Sequence, residues 1–165
     1  MEDIAFKNYM HEINLLNQNA CYMPSFVIPQ NIYKIYTKVK EMPFGTVNQS
    51  WVATACCKQT GEEVIIKSVP KCASSLREIL AQRFAYEIAP ENVLPWFNIF
   101  SFEDSLFIIM PYINGGDLLS YIDILTESQT RTIMLQICTV VAKLHSFGLV
   151  HRDIKVKNIC FNILF

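Results

Sequence analysis

The chain has no excess charge of either sign. Lys and Arg number 14 against 15 Asp and Glu, a formal net charge of −1. That balance gives no electrostatic case for DNA, RNA or an anionic membrane surface as a partner. There is also no apolar run near the roughly 20 residues that a membrane-spanning helix needs. The opening Met1-Glu2-Asp3 is acidic and no secretory signal follows it. The six cysteines, at 21, 56, 57, 72, 138 and 160, include no Cys-x-x-Cys pair, so a zinc site is not expected. Reduced thiols, in cytoplasm or nucleus, are the plain reading. No internal repeat or low-complexity tract interrupts the chain.

A length of 165 residues suits one domain or one and a half and permits a modest core. The 52% hydrophobic content is high for a soluble domain and points to a dense core or a buried interface. Residues 1–30 read as an extension punctuated by Pro24 and Pro29. The β-branched Val64-Ile65-Ile66 predicts a strand. The continuous apolar run Leu106 to Ile113 predicts a buried one. Asn114-Gly115-Gly116-Asp117 is a turn that starts a helix. Thr126-x-x-Gln129 caps a further helix. There Ile133, Met134, Ile137, Val140, Val141 and Leu144 recur at helical spacing and are expected to form one buried stripe. Gly148 ends it.

After that helix comes His151-Arg152-Asp153-Ile154-Lys155-Val156-Lys157-Asn158. Its bland reading is a solvated basic turn. Its spacing resembles the His-Arg-Asp-x-Lys-x-x-Asn catalytic loop of eukaryotic-type serine/threonine protein kinases. The resemblance implies phosphoryl transfer, with each residue type in a role. Asp153 accepts the proton of the attacking hydroxyl. Lys155 neutralises charge on the transferring group. Asn158 holds Mg²⁺ through its amide oxygen. His151 is structural, and Arg152 meets a phosphate on an activation loop.

Upstream segments resemble the nucleotide-binding lobe of the same family. Val39 to Val47 is similar to a Gly-rich loop that retains Gly45 and Val47 but carries Lys40 and Met42 where glycines stand. A Cβ at those positions hinders close approach to phosphates. Glu63-Val64-Ile65-Ile66-Lys67 resembles the strand whose Lys pairs the α- and β-phosphates of ATP. Glu78 fits the acidic partner of Lys67; Ser75-x-x-Glu78 is equally a capping-box pattern, and Glu87 is the alternative partner. Met110 takes the gatekeeper position, and Pro111, Tyr112 and Ile113 the hinge that offers backbone groups to adenine. Pro111 has no N–H to give, whereas Ile113 has one. Asp117 is either an N-cap or the acidic residue near the ribose. Val93-Leu94-Pro95, the Pro111 hinge and the catalytic loop further resemble alphaherpesvirus serine/threonine kinases.

The expected fold is therefore α+β: an antiparallel sheet plus one helix as a small lobe over 31–113, then the first helices and catalytic loop of an incomplete helical lobe over 114–165. The family's Asp-Phe-Gly, whose Asp is the second Mg²⁺ ligand, is not in this sequence, nor is an activation segment. The resemblance implies ATP, Mg²⁺ and a protein substrate. Two functions follow as expectations. One is a serine/threonine phosphotransferase domain, weak or inactive in this chain alone. The other is a non-catalytic kinase mimic that binds and regulates another kinase.

Overall fold

The computed structural model describes residues 28–42 and 51–162. They form two compact units. One holds the described residues up to 83 together with Leu94–Tyr112; the other holds Phe84–Val93 and the described residues from 113 onward. Gly45 and Val47 lie outside the described residues.

The first unit is a sheet with a helix against each face. Helix α1 (Gln30–Ile35) leads into β1 (Tyr36–Glu41); β2 (Trp51–Cys57) and β3 (Glu63–Pro70) follow. Helix α2 (Ala73–Ile88), shared by both units, precedes β4 (Asn98–Phe102) and β5 (Ser105–Pro111). The strands run in the order β1-β2-β3-β5-β4, all antiparallel.

Period-two alternation sorts the side chains of each strand between the two faces. Val64 and Ile66 of β3, Phe107 and Ile109 of β5 and Ala55 of β2 share one buried cluster with Ile28, Ile32 and Tyr36. On β5, Leu106 and Ile108 join Val69 of β3 and Ile79 of α2 in a second cluster, with Leu76, Trp96, Ile99 and Met110 against it. Covered on both faces, β5 is buried from Ser105 to Ile109, so its sequence is a continuous apolar run rather than an alternating one. The strand ends at Pro111, two residues short of the expected run, and the next N–H, on Tyr112, donates to the Glu63 carbonyl at 3.2 Å.

Helix α1 closes the face opposite α2. Ile32 has no exposed surface, and Ile28 and Pro29, on the extension side of the expected boundary at residue 30, are buried with it. The C-terminal carbonyls of α1 are met from the β2–β3 hairpin: the Lys58 backbone N–H donates to Ile35 O at 2.9 Å and its ammonium to Tyr33 O at 2.6 Å. A cation at a helix C-terminus is attracted by the negative end of the macrodipole.

In the second unit Ala85, Ile88 and Ala89 pack around Leu144, with Val93, Val140 and Leu149 alongside. Leu144 belongs to α3 (Glu127–Ser146), and a short 3-10 turn, Leu118–Tyr121, precedes that helix. Thr126 and Gln129 make both bonds of a capping box. At the other end Leu149 N–H reaches Leu144 O at 3.1 Å and Gly148 N–H reaches His145 O at 2.9 Å, a Schellman stop with Gly148 at φ 75°. The expected buried stripe is buried only at Leu144. Ile133, Ile137, Val140 and Val141 are half-buried, and Met134 is 48% exposed. Periodicity marks a stripe but does not supply the surface that covers it.

The packing of α1 generates a stability prediction. Ile32→Ala should destabilise the chain by about 2–5 kcal/mol in urea unfolding. Tyr33→Ala, on the exposed side of the same helix, should stay within about 0.5 kcal/mol. Equal effects would show that α1 does not cover the sheet.

Candidate active site

Lys67 lies on the central strand β3, in register with Val52 of β2 and Ile108 of β5. Its neighbours Ile66 and Ser68 are fully buried, which leaves Lys67 the opposite, α2 side of the sheet. There its ammonium meets Glu78 Oε1 at 3.1 Å. Helix α2 begins at Ala73, so Ser75 sits inside the first turn rather than before it. The Ser75 hydroxyl approaches the Cys72 thiol at 3.4 Å, and the Glu78 carboxylate turns to Lys67. Glu87 falls in the part of α2 grouped with the second unit. The Lys67 and Glu78 side chains are 29% and 67% exposed, so their pairing adds little to stability. Its effect is to aim the Lys67 ammonium.

Met110 rests against the α2 side of β5, where Gln82 Nε2 approaches its sulfur at 3.8 Å and holds Leu94 O at 2.8 Å. The Tyr112 amide is engaged by the Glu63 carbonyl and is not free for a base. The Ile113 N–H has no partner among the described residues. Asp117 caps the Leu118–Tyr121 turn: its Oδ1 accepts from Ser120 N at 3.1 Å and from the Ser120 hydroxyl at 3.0 Å.

In the second unit the loop around Asp153 is a closed set of short hydrogen bonds. Lys155 Nζ lies 2.8 Å from Asp153 Oδ2. Asn158 Nδ2 donates to the same oxygen at 2.9 Å and to the Asp153 carbonyl at 2.8 Å. Asp153 N–H donates to His151 Nδ1 at 3.2 Å, which requires that ring nitrogen to be unprotonated. Arg152 supplies the bend with φ 65°, a left-handed conformation costing a non-glycine residue roughly 1–2 kcal/mol. A 3-10 turn over Val156–Asn158 brings Asn158 back toward Asp153, closed by Asn158 N–H to Lys155 O at 2.9 Å.

Lys155 first, then Asn158, hold the Asp153 carboxyl below its ordinary value of 3.8. At neutral pH it is an ionised, acceptor-only group. Such a lowered group stabilises the fold above its unfolded pKa, and this contribution is lost as pH falls through the folded value. Both partners of the Asn158 amide nitrogen are acceptors, so the amide must present NH₂ to Asp153. That leaves Oδ1 as a hard oxygen ligand of the kind Mg²⁺ takes. Among the described residues no group of three or more His, Cys, Asp or Glu side chains forms a metal cage. Mg²⁺ is ordinarily held by one or two protein oxygens together with substrate phosphates, so Asn158 fits as one such ligand.

Sequence reasoning passed over how the end of this loop is held. Leu118 N–H bonds Ile159 O at 2.8 Å, Phe161 N–H bonds Gly116 O at 2.9 Å, and Asp117 and Cys160 form a bridge. Tyr121 stands over this pairing with its hydroxyl on Gly115 O at 2.7 Å. The Gly115-Gly116 turn was the available signal.

An antiparallel five-stranded sheet with a Lys–Glu pair, followed by a helix and a His-Arg-Asp loop, is a fold of the protein-kinase type. The chain belongs to the protein kinase family: the model of the protein kinase domain matches residues 36–163. It is similar to a probable serine/threonine-protein kinase, fhkA, of Dictyostelium discoideum, 38% identical over 150 residues, 82% of this chain and 24% of the relative. The serine/threonine-protein kinase ppk6 of Schizosaccharomyces pombe is 29% identical over 178 residues, 96% of this chain and 23% of its own length. The cell division cycle 7-related protein kinase of Homo sapiens is 31% identical over 140 residues, 82% and 24% of the two chains. The chain thus spans about a quarter of the length of these curated relatives. They carry the serine/threonine-kinase likeness, and not the narrower viral one.

The loop geometry predicts a titration. Lys155→Met should raise the Asp153 carboxyl toward its ordinary value, and Asn158→Ala should raise it by less, both read by carbon-13 NMR of the Asp153 side chain. An Asp153 that titrates identically in all three proteins would contradict the geometry.

Proposed function

We propose that this chain carries the phosphoryl-transfer residues of a serine/threonine kinase, moving the γ-phosphoryl group of ATP to a protein hydroxyl. The observation that carries the reading is Asp153 held by Lys155 and Asn158 at 2.8–2.9 Å. The ionised Asp153 orients the attacking hydroxyl by accepting its hydrogen bond. A carboxyl of lowered pKa is too weak a base to remove that proton beforehand, so it receives the proton as the new P–O bond forms. This order suits a loose transition state in which positioning outweighs proton abstraction.

Lys155 already lies against Asp153, where its charge opposes the negative charge gathering on the transferring oxygens. Lys67, aimed by Glu78, binds the α- and β-phosphates. The Ile113 N–H is the hinge donor available to adenine, since Pro111 has none and Tyr112 is engaged by Glu63. Bound Mg²⁺ supplies charge neutralisation on the phosphates, and Asn158 Oδ1 is the residue atom that would hold it. Asp117, already a cap, takes the ribose only through its other carboxylate oxygen.

No helix among the described residues is long and apolar enough to cross a membrane, and Cys56, Cys57, Cys138 and Cys160 are free thiols. Reduced thiols support a place in cytoplasm or nucleus. Lys40 and Met42 in place of two glycines and the partly exposed α3 stripe are what the alternative, a catalytically inactive mimic, would rest on; the kinase-domain match and the serine/threonine-kinase relatives do not favour it over the main reading.

The test is transfer of label from γ-labelled MgATP to serine or threonine of a generic protein substrate by the full chain. Asp153→Ala should lower the rate by at least about a hundredfold. Lys67→Ala should weaken the rise in melting temperature that ATP produces. Labelling that survives Asp153→Ala undiminished, or a wild-type melting temperature that ATP does not raise, would contradict the proposal.

A further inference from the structure

We propose that Tyr121 is a positioning residue for Asn158, acting through a small clasp that fixes the chain just after the catalytic loop. The metal side of this inference rests on the reading of Asn158 given above; the positioning itself does not.

Asn158 is exposed, and the 3-10 turn that carries it contains no buried residue. Nothing in the turn itself anchors it to a core. The anchor comes one residue later. Leu118 N–H to Ile159 O at 2.8 Å and Phe161 N–H to Gly116 O at 2.9 Å flank the Asp117–Cys160 bridge. Two backbone hydrogen bonds alone make a marginal antiparallel pair in water. Side-chain support is needed to hold it.

Tyr121 gives that support to both strands of the pair. Its ring meets Phe161 edge to face, with centroids 4.9 Å apart and planes at 74°, a favoured aromatic geometry. Its hydroxyl donates to the carbonyl of Gly115 at 2.7 Å, on the other strand. The placement of Tyr121 is itself fixed. Gly116 at φ 72° turns the chain, Asp117 caps the 3-10 turn through Ser120, and Tyr121 is the last residue of that turn. Only a residue without a Cβ adopts that φ freely.

On the other flank Asn158 N–H is tied to Lys155 O and Asn158 Nδ2 to Asp153. Asn158 is therefore held from both sides. With the clasp released, only the loop side remains, and the direction of Oδ1 is no longer fixed relative to Asp153. Groups that orient a ligand residue in this manner change metal affinity by about 10–100-fold when removed.

The experiment is nitrogen-15 NMR of the full chain, wild type beside Tyr121→Phe, Tyr121→Leu and Phe161→Leu. The first readout is the Asn158 side-chain NH₂ pair, which should be dispersed and slow to exchange with solvent in the wild type. Tyr121→Phe keeps the ring and loses the hydroxyl bond, so its effect should be partial. Tyr121→Leu and Phe161→Leu should collapse the pair while resonances of the first unit stay in place. The second readout is paramagnetic broadening at Asn158 by Mn²⁺ with ATP, whose midpoint should rise about tenfold or more in Tyr121→Leu.

An unchanged Asn158 NH₂ pair in the folded variants would overturn the inference. Loss of dispersion across the whole spectrum in Tyr121→Phe as well would also overturn it, since the role would then be general stability. If the NH₂ pair responds to Tyr121 but Mn²⁺ with ATP broadens nothing near Asn158 in the wild type, the positioning stands and the metal reading of Asn158 falls.

Discussion

One carboxylate organises the loop that follows the long helix of the second unit. Asp153 is exposed to water, yet it is fixed by a cation, an amide and a ring nitrogen within its own loop. Exposed hydrogen bonds compete with solvent and are weak one at a time. Their persistence here depends on short connections: a left-handed Arg152, a single 3-10 turn and a clasp directly after Asn158. None of these elements is a hydrophobic core. The loop is held by side-chain and backbone hydrogen bonds and by the Tyr121–Phe161 ring contact, and the helix before it by packing through Leu144.

The first unit solves a different problem. A sheet whose central strand is apolar on both sides must be covered on both sides. Helix α2 covers one face, and its second turn brings Glu78 to Lys67. Helix α1 covers the other through Ile28 and Ile32. Lys67 is the charged exception on the α2 face. Its aliphatic stem can lie along apolar neighbours while its ammonium reaches Glu78. Burial of Ile66 and Ser68 thus fixes the side of the sheet from which the Lys67 ammonium projects.

Short-range chemistry was legible in the sequence. The Thr126–Gln129 box and the Gly148 stop follow from bonds within a few residues of one another, and the apolar β5 run was legible from its residue types alone. The loop from His151 to Asn158 was legible as a spacing. Long-range packing was not. Pro24 and Pro29 suggested an extension through residue 30, while Ile28 and Ile32 are required by strands far along the chain. Periodicity identified the apolar stripe of α3 but not its exposure, because a pattern does not state what lies opposite. Ser75 read as a cap because its spacing to Glu78 is right; the helix starts two residues earlier, so Glu78 is free to turn to Lys67. The support from Tyr121 joins residues some 40 positions apart in sequence and leaves no local mark beyond two glycines.

The account turns on Asp153 and Asn158 acting as one unit, and a double-mutant cycle on the phosphoryl-transfer rate tests that most directly. With Asp153→Ala, Asn158→Ala and the double variant, the double loss should scarcely exceed the larger single loss, as residues of a single unit behave. Losses that add in free energy would mean the two side chains act independently, and the loop geometry described here would not be the basis of catalysis.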